Sequence, residues 1–82
     1  MTQDIKEIVN KVIIDVTKDT NFKGTSDLED DLGIDSLSVI DLVVSLENYF
    51  KIYIEDDDFE NWSTVNDIYD SIEHQLISKQ NK

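Results

Sequence analysis

The chain predicts an all-α fold, a small four-helix bundle of three main helices and one short one, on three observations. Apolar residues recur at i, i+3, i+4 spacing in three separate stretches, which is the period of an amphipathic helix. Only residues 51–54 have strand-like composition, and a lone strand has nothing to pair with. Finally, 82 residues fit a single domain, and a domain near this size buries only roughly 60 % of the surface its unfolded chain exposes, so the core must be local. The chain has no cysteine, which removes disulfides and thiolate metal sites as supports.

The first helix is expected at about residues 3–17, from the stripe Ile5, Ile8, Val9, Val12, Ile13 and Val16. Residues 18–35 follow as a long connection punctuated by Gly24 and Gly33. Phe22, Leu28, Leu32 and Ile34 within it imply an ordered loop pinned to the core. The second helix, 36–50, starts where Asp35 or Ser36 offers a small side-chain acceptor to the first-turn amides. Residues 51–54 are read as extended loop. A short helix at 56–61 places Asp56, Asp57 and Asp58 at the favourable end of its dipole. Thr64, with Asp67 three residues on, caps a last helix at 65–77, whose stripe is Val65, Ile68, Tyr69, Ile72 and Leu76. The polar tail after Ser78 is expected to fray. Residues 1–82 are thus one domain, with no repeat, no apolar run of the ~18 residues that span a bilayer and no signal-peptide pattern. A soluble, cytoplasmic protein is expected.

Charge is concentrated in the middle. Residues 27–60 hold twelve carboxylates against Lys51 and so account for −11 of the net charge of −12, while both ends are nearly neutral. Such a field repels nucleic acid and anionic membranes and speeds encounter with basic protein surfaces. The expected partners are proteins with Lys and Arg patches, met by a monomer.

On a helical wheel of about 100° per residue, Val39, Leu42, Val43, Leu46, Tyr49 and Phe50 share the core-facing third of the second helix. Leu37, Ile40 and Val44 fall on the opposite side among Asp41, Glu47 and Asn48. Apolar side chains standing among carboxylates mark a docking surface, unless the helix is central and buried all round. Ser36 opens this helix. An ordinary N-cap would explain it, and it has no catalytic partner, because the only histidine, His74, sits in the last helix. It is a poor nucleophile, yet a phosphate ester placed on it by another enzyme would meet the amides and positive dipole end of a helix N-terminus.

The string Asp31-Leu32-Gly33-Ile34-Asp35-Ser36-Leu37, followed by Asp41-Leu42, Leu46-Glu47, Phe50, Ile54 and Thr64-Val65, resembles the acyl carrier protein family over nearly the whole chain. The resemblance implies a non-catalytic four-helix carrier of acyl-carrier-protein type. Ser36 would receive 4′-phosphopantetheine from coenzyme A through a separate Mg²⁺-dependent phosphopantetheinyl transferase, and the arm's thiol would hold acyl groups as thioesters for acyl-loading and acyl-processing enzymes. It further implies that Asp35 helps engage the transferase and that Leu37, Ile40, Asp41, Val44 and Glu47 form the partner-recognition face. No metal ligand set is implied.

The chain departs from carriers of primary fatty-acid synthesis in Ser38 and Asn48, where acids are usual, in Glu55, where proline is frequent, and in Trp62 before the last helix. These changes leave open fatty-acid, polyketide and related lipid pathways. They also leave open an aminoacyl or peptidyl carrier, since Phe59 and Trp62 are similar to the aromatics of D-alanyl-type carriers, although a core-filling role explains both. A remoter alternative is an acidic interaction or cation-binding module using Asp56, Asp57 and Asp58, which lack the alternating ligands and turn glycine of a calcium loop.

Overall fold

The computed structural model describes residues 5–80, with side chains as far as Ile77. Four helices follow in order: α1 (Ile5–Thr17), α2 (Ser36–Phe50), α3 (Asp56–Glu60) and α4 (Val65–Gln80). Residues 3 and 4 of the expected first helix lie outside the described residues. α1 packs against both α2 and α4. Its Val9 and Ile13 are fully buried, against Leu42 and Leu46 of α2 and Val65, Ile68 and Ile72 of α4 in the same core. Tyr69 and Asn10 tie α4 to α1 at the rim, the phenol donating to the Asn10 amide oxygen.

Both long helices that end inside the chain do so at a left-handed lysine. Lys18 (φ 64°) and Lys51 (φ 59°) donate their amides to Ile14 and Glu47 carbonyls, closing α1 and α2. Glycine or asparagine usually occupies such positions.

The connection from 18 to 35 is ordered, as its apolar residues require. Leu28, Leu32 and Ile34 are buried and Phe22 packs on the core. Asp27 caps a turn inside it: its carboxylate accepts the Glu29 and Asp30 amides, and Asp31 reaches back to accept the Asp27 amide at 2.7 Å. Gly33 (φ +67°) ends that turn, its amide donating to the Glu29 carbonyl in a conformation an L side chain resists. The loop is also laced to the start of α4 through Leu28 to Ser63, Val65 to Ser26 and Asn66 to Gly24. Gly24 lies so close to the Asn66 side chain that a Cβ there would collide with it.

Five expectations need adjustment. Tyr49 is 56 % exposed, because Phe50 takes the place against the core while the Tyr49 ring leans on Phe50 and lines the outer α1–α2 groove beside Lys11 and Asp15. Of the capping pair at Thr64 and Asp67, the half that forms is the Asp67 carboxylate, which accepts the Ser63 and Thr64 amides at 2.7 and 3.0 Å. These bonds, Thr64 first, hold the Asp67 carboxyl below the usual aspartate range. The short helix stops at Glu60, with Asn61 as its C-cap. The last helix continues to Gln80 rather than 77, since neither glycine nor proline interrupts residues 65–80. Of the expected extended loop 51–54, Lys51 is instead the left-handed cap of α2, and residues 52–55 follow with neither helix nor strand.

Candidate functional site

α2 begins with a division of labour between two adjacent side chains. Asp35 is the N-cap: one carboxylate oxygen accepts the Ser38 amide at 2.8 Å and the Leu37 amide at 3.1 Å. The Ser38 amide and hydroxyl, joined by the Leu37 amide, hold the Asp35 carboxyl below the usual aspartate range, so it is ionised at neutral pH. Ser36 is therefore the first helical residue and not the cap. Its side chain is exposed and makes no hydrogen bond among the described residues. Asp35 also takes up two amides that a phosphate on Ser36 was expected to use. What remains for such an anion is the Ser36 amide and the positive end of a fifteen-residue helix.

Ser36 opens onto a cleft of about 580 Å³ between the start of α2, the turn at 27–29 and α3. Its lining combines the apolar Leu28, Ile34, Val39, Phe59 and Trp62 with the carboxylates Asp27, Glu29, Asp35, Asp56 and Glu60. α3 forms one wall and contributes no buried residue of its own. Phe59 and Trp62 meet at 62° with centroids 6.4 Å apart, and both also pack on the core. The core-filling role expected of this pair is thus half of what they do. Their part in the cleft is visible only once the fold brings α3 beside Ser36, and the one prior sign was their i, i+3 spacing across the short helix. The Trp62 indole nitrogen is sealed from solvent with no hydrogen-bond partner among the described residues.

Of the expected docking residues, Leu37, Ile40 and Val44 are 81 %, 45 % and 48 % exposed, and Asp41 is exposed beside them. α2 is not buried all round. Glu47 is placed differently: it is half-buried, and its Oε2 accepts the Ile54 amide at 2.8 Å across the turn that follows α2. That bond anchors Ile54, itself 2 % exposed, just ahead of α3.

His74 is exposed on α4, and no residue beside Ser36 could serve it as a base other than carboxylates. Asp56, Asp57 and Asp58 do not converge: Asp56 lines the cleft, the Asp57 carbonyl accepts from Asn61, and Asp58 accepts from Gln75 of α4. Among the described residues no three His, Cys, Asp or Glu side chains are grouped to hold a metal ion, and no helix is long and apolar enough to cross a membrane.

The profile of the family described as "Phosphopantetheine attachment site" matches residues 3–72. An acyl carrier protein of Exiguobacterium sibiricum is 46 % identical over 72 residues, covering 88 % of this chain and 84 % of its own length. One from an Exiguobacterium species is 40 % identical over the same extents. Among solved structures, a candidate acyl carrier protein from Mycobacterium tuberculosis superimposes with a TM-score of 0.82 at 33 % identity, over 87 % of this chain and 97 % of that one. An exposed hydroxyl relieved of capping duty at the edge of a cleft fits a covalent arm, and with these matches the chain belongs to the acyl carrier protein family, non-catalytic carriers of covalently attached phosphopantetheine.

Proposed function

We propose that Ser36 carries the 4′-phosphopantetheine arm and that the chain, as a single monomeric domain over residues 1–82, presents thioester-bound acyl groups to successive enzymes of fatty-acid, polyketide or related lipid biosynthesis in the cytoplasm. The observation that carries this reading is the Ser36 hydroxyl itself, exposed, free of hydrogen bonds among the described residues and set on the rim of the cleft. Attachment forms a phosphodiester at Ser36 Oγ and breaks the P–O–P bond of coenzyme A, releasing adenosine 3′,5′-bisphosphate and the hydroxyl proton. Once attached, the arm supplies a thiol that holds acyl groups as thioesters.

Asp35 supports this chemistry by fixing the helix start, and its ionised, exposed carboxylate is available to a transferase engaging the same turn. Leu37, Ile40, Asp41 and Val44 make a continuous face whose apolar members supply binding free energy and whose carboxylate steers basic partners. Each well-buried anchor contributes ~1.5–3 kcal/mol, enough together for a transient complex. Glu47 adds its charge to that face while holding Ile54. The one-sided acidity favours basic protein surfaces over nucleic acid and membranes.

Intact-mass measurement after incubation with coenzyme A and a broad-specificity transferase tests the attachment. The chain gains one phosphopantetheine, and Ser36→Ala gains none. Failure of the unsubstituted chain to load, beside a known acceptor that loads fully, refutes the reading. An aminoacyl or peptidyl carrier would use the same attachment, so a loading screen with both acyl and amino acids separates the two cargo classes.

A further inference from the structure

The Trp62 side chain, which lines both the cleft beside Ser36 and a second hollow toward α4, carries a polar atom that nothing among the described residues satisfies. The Trp62 Nε1–H is a donor only, it is buried without a partner among the described residues, and Trp62 is the single tryptophan of the chain. A buried donor left unpaired is disfavoured, and most such groups in folded proteins are paired. A phenylalanine in its place would fill apolar space without that cost, as the neighbouring Phe59 already does. The indole is therefore explained better by a partner that arrives than by packing alone.

The occupant is constrained by the other residues of the cleft. Ser36 lines the same space, so a chain tethered to its hydroxyl reaches this interior more readily than any free ligand. Carboxylates of Asp27, Glu29, Asp35, Asp56 and Glu60 line the cleft and disfavour an anion, whereas its remaining residues are largely apolar and the sealed Trp62 nitrogen is a donor. A neutral carbonyl oxygen is what such a site takes. Access requires the wall to move, and α3, with five residues and none buried, is the least anchored element of the bundle.

We infer that Trp62 is a specificity-determining residue whose indole N–H donates a hydrogen bond to a carbonyl oxygen of the chain tethered at Ser36, so that the carrier recognises oxygenated or amide-bearing segments and not an alkyl tail alone. This inference rests on the attachment at Ser36. Its source is either an amide of the arm or an oxygen of the acyl cargo, and the two separate by loading.

The experiment follows the single indole N–H resonance of the ¹⁵N-labelled full-length chain in four states, each verified by intact mass: unloaded, carrying the arm with a free thiol, carrying a hexanoyl thioester and carrying a β-oxohexanoyl thioester. A downfield shift with slowed hydrogen exchange that begins at the free-thiol state assigns the acceptor to the arm. One that begins only with an acyl group assigns it to the cargo. An indole resonance unchanged across all four states overturns the inference while leaving the attachment intact, whereas absence of the added mass removes both. Trp62→Phe supplies a second measurement. The unloaded variant melts no lower than its parent, and the rise in melting temperature on loading is reduced. A variant that melts lower when unloaded and keeps the full rise shows a packing role only and refutes the inference.

Discussion

Glu47→Ala removes the acceptor of the Ile54 amide, and its effect separates a structural carboxylate from one that merely faces partners. Ile54 is 2 % exposed and its amide donates to Glu47 Oε2 at 2.8 Å. Leaving a buried donor unpaired costs about 1–3 kcal/mol. A chain of 82 residues has about 4–12 kcal/mol of total stability, so the loss is a substantial share. At ~4–8 °C per kcal/mol for a domain of this size, the melting temperature falls by about 4 °C or more. Glu47→Gln keeps an amide oxygen in reach, as a neutral acceptor of roughly half the strength, and melts between the parent and the alanine variant.

Thermal unfolding followed by circular dichroism, at one fixed ionic strength, reads this order. If Glu47→Ala melts within about 1 °C of the parent and cannot be told from Glu47→Gln, the bond to Ile54 contributes nothing and Glu47 acts only through its charge. If the order holds, a weakened partner interaction in Glu47→Ala cannot be credited to lost charge alone. Asp41→Asn is then the cleaner probe of steering, because Asp41 is exposed and makes no bond among the described residues.

Ser36→Ala melts with the parent, since Asp35 and not Ser36 caps α2, and a fall comparable to the loss of an N-cap would show that the serine shares that duty. Leu46→Ala empties a fully buried position in the core between α1, α2 and α4 and costs about 2–5 kcal/mol, read as a lowered urea midpoint at unchanged slope; an unmoved midpoint refutes the packing. Raising salt from low to physiological strength lifts the melting temperature by screening a net charge of −12, and indifference to salt shows that the crowded carboxylates do not oppose folding. The Asp67 carboxyl is held below its ordinary 3.8, so its contribution is complete above that value and disappears as pH falls through 3.8 and below. The gap in melting temperature between the parent and Asp67→Ala therefore narrows as the buffer is taken from neutral pH to below 3.8, and a gap constant with pH refutes the role of the charged form.

The long helices were legible because burial writes a period into them. Ile8, Val9, Val12 and Ile13 on α1 and Leu42, Val43 and Leu46 on α2 are the residues the spacing pointed to, and they are buried. The exposed trio Leu37, Ile40 and Val44 was equally legible, since a helical wheel separates its two faces without any tertiary information. Tyr49 was not, because whether it or Phe50 turns inward depends on where α1 crosses, which no local pattern records. The helix ends at Lys18 and Lys51 escaped for a different reason: left-handed termini are recognised by glycine or asparagine, and lysine carries no such mark. Glu47 and Trp62 share a third reason. Their roles rest on the Ile54 amide, which meets Glu47 only through the shape of the turn after α2, and on the packing around the indole, which forms only when α3 folds back beside α2.

The placement of Ser36 one residue inside the helix rather than at its cap suits the attachment proposed for it. A capping serine would spend its oxygen as an acceptor for a first-turn amide, and modifying that oxygen would disturb the helix start. With Asp35 holding the Leu37 and Ser38 amides, the hydroxyl of Ser36 can gain a bulky anionic substituent without loss of a native bond. The same carboxylate puts a negative charge next to the incoming phosphate, a repulsion that the α2 dipole offsets only in part. Asp35 therefore favours the folded acceptor more than the modified product, and its replacement by alanine is expected to slow loading through a frayed helix start while easing the charge conflict in the product. Loading rates of Asp35→Ala and Asp35→Asn distinguish these contributions, since asparagine keeps the cap and removes the charge. Equal rates for the two variants would show that the cap is irrelevant to attachment, and equal rates below the parent's would show that the charge is what a transferase reads.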